Sequence, residues 1–211
     1  MNQDNLRLPF DADMLPDLGP LRVRVIGPRN RRNPDAINTT SSAGWSSGLS
    51  PFLLGPVRLY GGLVARNVEN AWQYSKVYPG QSGPDGNPSQ GWRRWAEAGW
   101  RNPRAVRYPM GRGARPLYSW WNGEKLDYVT ARKHIYVPLY AGAVVKTDAF
   151  KRLLQMQREG RPIVLWDYDG YDHIELGMTL DEVLNDPGRK MGHAFVLAML
   201  LEGHPAVAGV S

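Results

Sequence analysis

The stretch Gly192 to Leu201 is apolar nearly all round. A helix with one apolar stripe can lie on a surface, whereas a helix apolar on every face has to be enclosed. The run from Ala194 to Leu201 is too short to cross a bilayer, so it predicts a central buried helix, with Gly203 ending it. The rest of the chain must then supply the enclosure. With 211 residues, 42% of them hydrophobic and 22% charged, the sequence has the size and balance for one globular domain with a real core.

The wrapping elements can be read in order. Leu21 to Ile26 alternates apolar and basic residues, the pattern of a half-buried strand, and Gly27-Pro28 stops it. Asn33 to Ser50 is rich in Asn, Ser, Thr and Gly and reads as a flexible loop. Val57 to Tyr60 reads as a short strand closed by Gly61-Gly62, and Asn67 can cap a helix over Val68 to Val77, ended by Pro79-Gly80. Trp92 to Trp100 has helical spacing, and Pro103, Pro109 and Pro116 keep the following stretch irregular. A helix is expected to start near Asp127 and stop before Pro138. Thr147 caps an amphipathic helix carrying Phe150, Leu153 and Leu154, and Pro162 to Trp166 is the strongest strand. Thr179-Leu180-Asp181-Glu182 is a capping box opening a short helix. Irregular alternation of helices and strands favours an α+β fold over a doubly wound sheet. The expected organisation is an N-terminal arm over 1–44, with a basic strand and a flexible loop, and a compact single domain over 45–205 with helices around a small sheet.

Several chemistries are excluded. There is no cysteine, which removes disulfides, thiolate metal sites and a Cys nucleophile and fits a reducing compartment. The four histidines show no i, i+4 pair, so no metal site and no cofactor are expected, and no Ser-centred nucleophile elbow is present. Met1 to Asn5 lacks a basic region followed by an apolar stretch, and no run reaches membrane length. A soluble, cytoplasmic protein is the expectation. The net charge of +6, with a pI near 9.6, favours anionic partners such as phosphates, nucleotides or nucleic acid.

Three features could carry chemistry. On a helix, Glu69, Gln73 and Lys76 fall at i, i+4 and i+7, a polar stripe able to read a sugar or a base edge. The carboxylate could act as a general base or stabilise an oxocarbenium ion. A solvated helix face with a weak Glu–Lys interaction gives the same spacing. Asp167, Asp169 and Asp172 leave the strongest strand together, where crowding can push carboxyl pKa values apart, although a solvated turn rich in Asp has the same composition. The bidentate Glu that would complete a calcium loop is absent. Trp92, Trp95 and Trp100 interleave with Arg93, Arg94 and Arg101, and Arg104, Arg107, Arg112 and Arg115 follow, Arg112 between glycines. That mixture suits base stacking and phosphate contact, or else core tryptophans covered by arginines.

The order Ser50-Pro51-Phe52, then Val68-Glu69-Asn70-Ala71-Trp72-Gln73-Tyr74-Ser75-Lys76, resembles the opening signature of NADAR-family proteins, a strand followed by a Glu-x-x-x-Gln-x-x-Lys helix. Trp120 or Trp121 leading into Thr130 to Tyr136 is similar to the family's middle segment, and the later helices and strand follow in its order over roughly residues 45 to 203. Two departures stand out. Trp166-Asp167 occupies a place where the family carries Glu, and His193-Ala194 follows Gly192 where the family has Asn. A diverged member, of the kind a phage encodes, would look like this, placing the protein in a bacterial or phage-infected host cell. The resemblance implies a compact α+β domain acting as an N-glycosidase or glycosyl-transfer enzyme on a ribosylated or ADP-ribosylated base, nucleotide or modified nucleic acid. It makes Glu69 the leading catalytic carboxylate, with Asp167 or Asp169 in a second acidic role. Gln73, Lys76, Trp120, Trp121 and Arg132 would bind ligand, and Arg93, Arg94 and Arg112 would meet phosphate or nucleic acid. A non-catalytic nucleotide-signal or nucleic-acid binder, or a DNA base-modification protein, is the alternative.

Overall fold

A computed structural model describes residues 22–30 and 33–209. Its centre is a three-stranded parallel sheet of β1 (Arg24–Ile26), β2 (Ala36–Asn38) and β8 (Val164–Trp166), with β8 in the middle. Arg24 and Ala36 lie opposite Val164 on its two sides, and Ile26 and Asn38 lie opposite Trp166. A parallel sheet set in the core reads as a near-continuous apolar run, and Ile163, Leu165 and Trp166 are all buried. Behind the sheet runs α7 (His193–Leu201), whose residues from His193 to Met199 are all buried. It packs against β1 and against two further helices, α4 (Val137–Val144) and α6 (Leu180–Asn185), so the all-round apolar sequence is enclosed as expected. The fold is α+β.

Two antiparallel sheets complete it. One is the pair β3 (Val57–Arg58) and β4 (Val64–Ala65). The other places β6 (Tyr118–Trp121) between β5 (Lys76–Val77) and β7 (Glu124–Leu126). The β6–β7 hairpin turns on Asn122 (φ 48°) and Gly123 (φ 93°), the left-handed pair that a two-residue hairpin requires. Around the sheets lie α1 (Val68–Gln73), α2 (Gln90–Arg101), α3 (Tyr128–Ala131) and α5 (Asp148–Arg158). Side chains of Asn67, Ser89, Asp127, Thr147 and Thr179 cap the N-termini of α1, α2, α3, α5 and α6, the last through a complete capping box. No helix among the described residues is long and apolar enough to cross a membrane.

Four expectations change. The described part of the 1–44 segment is no separate arm, because β1 and β2 are the two flanks of the central sheet; residues 1–21, 31 and 32 lie outside the described residues. The 33–50 loop holds β2 and a short 3-10 turn, Trp45–Leu49, whose Leu49 is fully buried. The helix expected to reach Val77 ends at Gln73. Ser75 Oγ donates to the Trp72 carbonyl at 2.8 Å, and Lys76 and Val77 pair instead with Ser119 and Tyr118. The helix expected to stop before Pro138 continues to Val144. Arg132–Tyr136 forms a π turn in which the Val137 N–H reaches back to the Arg132 carbonyl, and this wider turn carries the chain past a residue with no N–H to give.

Candidate functional site

One face of the molecule holds a cavity of about 810 Å³. Its walls are α1 and β5, the loop 107–116, the π turn, the chain leaving β8, and the segment 187–193 that opens α7. The size suits a nucleotide-scale ligand.

The α1 wall carries a hydrogen-bonded chain of three side chains. Lys76 Nζ donates to Gln73 Oε1 at 2.7 Å, and Gln73 Nε2 donates to Glu69 Oε1 at 2.9 Å. The trio expected on one helical stripe does meet, although Lys76 arrives from a strand and bends back toward α1. Lys76 also stands 4.7 Å from the centre of the Trp72 ring, which lines the cavity. Burial pushes the Glu69 carboxyl up, while the Gln73 hydrogen bond and the positive charges of Lys76, Arg107 and His193 pull the other way. Burial likewise brings the Lys76 ammonium down to about 8, against the pull of the Glu69 carboxylate.

The opposite wall is built where β8 ends and α7 begins. Asp167 is buried, and its Oδ2 lies 3.0 Å from His193 Nδ1 and accepts the Ala194 N–H at 3.2 Å. Burial alone would raise this carboxyl, but the His193 ring and the Ala194 and Asp169 amides outweigh it and hold Asp167 below the usual carboxylate range. Tyr136, from the π turn, also lines the cavity, and burial with the Glu69 and Asp167 charges pushes its phenol far up. It keeps its proton throughout the neutral range.

The mouth is cationic and aromatic. Arg107 pairs with Asp169, and Lys190 stands 4.0 Å from the same carboxylate. The Tyr108 ring has Arg107, Lys190 and Arg112 at 5.5, 5.6 and 5.9 Å from its centre. Loop 107–116 is held at its base by the fully buried Asn70 of α1. The Asn70 amide donates to the carbonyls of Asn102 and Arg104 and accepts the Val106 N–H.

No family model, curated protein or solved structure matches the chain. Its chemistry has to be read from these side chains.

Glu69, Gln73, Lys76, Asp167 and Asp169 all line the cavity. Other expected residues do not serve as the sequence suggested. Arg132 reaches the wall, but its guanidinium donates to the carbonyls of Val183, Leu184, Asp186 and Arg189, closing the C-terminus of α6, whose last carbonyls lack helical partners. Trp120 is buried away from the cavity, and Trp121 packs 4.9 Å from the Tyr60 ring and against Leu126, Ala131 and Ile135. Arg93 and Arg94 are exposed on α2 and line no part of the cavity. The tryptophans beside them are structural, with Trp92 Nε1 donating to the Lys76 carbonyl at 2.9 Å. Arg112 lies at the rim on Tyr108 without lining the wall.

Arg107, from the arginine run after α2, does reach the cavity, and the missed residues are Trp72, Tyr136 and His193. Trp72 had the spacing of a packing face. His193 lies directly after Gly192 at the start of the buried helix, and a polar residue opening an otherwise apolar helix was the available signal.

Proposed function

We propose that the cavity binds a ribosylated or ADP-ribosylated base and cleaves or transfers its N-glycosidic bond. The observation that carries this reading is the buried Glu69 carboxylate, tethered through Gln73 to Lys76 on the wall of a nucleotide-sized cavity. A carboxylate fixed in a site poor in water stabilises the positive charge that develops on the sugar as the glycosidic bond breaks. Burial pushes the Glu69 carboxyl up, the direction that makes a carboxylate a better acceptor for a proton from attacking water. In the hydrolytic case, water oxygen bonds to the sugar's anomeric carbon while the carbon–nitrogen bond breaks. One water proton passes to Glu69, and the electron pair leaves with the base, which is protonated from Glu69 or solvent. Trp72 offers a face for the base, Tyr136 and Asp167 offer a donor and an acceptor for sugar hydroxyls, and Arg107 and Lys190 offer charge for phosphate. The NADAR resemblance of the Glu69 to Lys76 motif points the same way.

The test is incubation with ADP-ribose, NAD, ribosylated bases and ADP-ribosylated DNA, with products and retained ligand read by mass spectrometry. Release of a free base or of ADP-ribose is expected, and Glu69→Gln should lower turnover by at least about a hundredfold with an unchanged melting temperature. A compound that is retained and returned intact would instead make the cavity a binding site for a nucleotide signal.

A further inference from the structure

His193 takes no part in the reaction drawn above, yet it is the most constrained titratable side chain of the cavity. Both of its ring nitrogens face acceptors. Nε2 lies 2.8 Å from the Thr39 carbonyl oxygen, which can only accept, so Nε2 carries a proton. Nδ1 lies 3.0 Å from Asp167 Oδ2. The same oxygen accepts the Ala194 N–H in the first turn of α7, where the helix's partial positive charge favours an anion. The proton between Nδ1 and Oδ2 therefore belongs to the ring.

The packing around this pair admits little else. His193 is 6% exposed and Asp167 4%. Gly192 leaves the only room for the carboxylate against the helix, since a Cβ there would stand 2.0 Å from Asp167 Oδ2. Three further elements bring groups to the ring. From β2's end comes the Thr39 carbonyl. From α4 comes Tyr140, its ring 5.6 Å away and its hydroxyl committed to the Leu49 carbonyl at 2.6 Å. From α1 comes the charge of Glu69, which favours a protonated ring, and the ring in turn favours ionised Glu69.

We propose that His193 is a positioning residue, an imidazolium that fixes Asp167 and serves as its buried counter-ion across the cavity from the Lys76–Gln73–Glu69 chain. Two carboxylates in one buried site cannot both ionise unless a cation is placed with them. Lys76 stands with Glu69, and His193 supplies the cation for Asp167 from a place where both its protons are already committed, so it donates to no ligand. The catalytic consequence rests on the glycosidase reading; the charge state does not.

The first measurement is imidazole ¹⁵N NMR on the intact protein between about pH 5 and about pH 9, with the ring assigned through its own backbone. Both His193 nitrogens should remain protonated well past the usual histidine midpoint. An unprotonated Nδ1 at neutral pH would overturn the proposal without requiring any variant to fold. The second is His193→Gln, which keeps a donor but removes the charge. Turnover should fall by about ten- to a hundredfold with KM little changed as Asp167 is released, and the acid limb of the pH–rate profile should move to higher pH as one of the positive charges that favour ionised Glu69 is lost. Full activity with an unmoved acid limb would also overturn it. If the wild-type protein turns over none of the substrates, the glycosidase reading fails, and the titration alone decides the charge of His193.

Discussion

At the scale of single residues, the cavity is a problem of unlike charges kept close, with Glu69 and Asp167 buried. Lys76 is the most sensitive part, because its ammonium is brought down to about 8 by burial. While charged, it holds the Gln73 amide and helps keep Glu69 ionised. Turnover should therefore decline on the alkaline side with a midpoint near that value, and Lys76→Met should abolish the alkaline limb and raise the acid one, as pH–rate profiles would record. Stability moves the other way. The folded Lys76 loses its proton more readily than an unfolded lysine, so the wild type should gain thermal stability relative to Lys76→Met between about pH 8 and about pH 10.5. A melting series on both proteins across that window checks the sign.

At the scale of elements, α1 does two jobs with adjacent residues. Glu69 faces the cavity, and Asn70 ties down the loop that carries Arg107 and Tyr108 to its mouth. Asn70→Ala would leave the Val106 N–H and the Asn102 and Arg104 carbonyls short of a partner; these bonds are only part-buried, so water makes up part of the about 1–3 kcal/mol that each fully buried group would cost. Lower stability by about 2 kcal/mol in denaturant unfolding is expected, together with weaker ligand binding from a loosened loop. Much at this scale was legible in the sequence, because caps, apolar periodicity and glycine stops are local signals. They announced α5, α6, α7 and β8 directly. What stayed hidden depends on partners far along the chain. Lys76 and Val77 leave the helix only because Ser119 and Tyr118 are there to pair with them. Asn38 and its neighbours are a strand only beside Val164 to Trp166. The Asn122-Gly123 turn was the exception, a local signal that marks the β6–β7 hairpin. The candidate site divides the same way. Its acidic members were legible as motifs, while Trp72 and His193 became site residues only once the walls met.

At the scale of the whole molecule, the basic balance is unevenly useful. The α2 arginines stand on the surface outside the cavity walls, whereas Arg107 and Lys190 stand at its mouth. Arg93→Glu with Arg94→Glu should leave ligand affinity within about twofold, and Arg107→Ala should weaken an anionic ligand and flatten the dependence of affinity on salt. Calorimetry at two ionic strengths separates the two cases. The placing of β8 between β1 and β2 also governs how the protein is born. Those two strands leave the ribosome early, separated by a gap that only a much later segment can fill. Until Val164 to Trp166 emerges, both present unpaired backbone to other chains or to each other, an invitation to mispairing. A nascent chain that has passed Tyr140 already owns Glu69, Gln73 and Lys76, but neither Asp167 nor His193, and so has nothing to close the far wall. Premature termination would yield no weakened version of the site, only a sticky fragment for proteases and chaperones to clear.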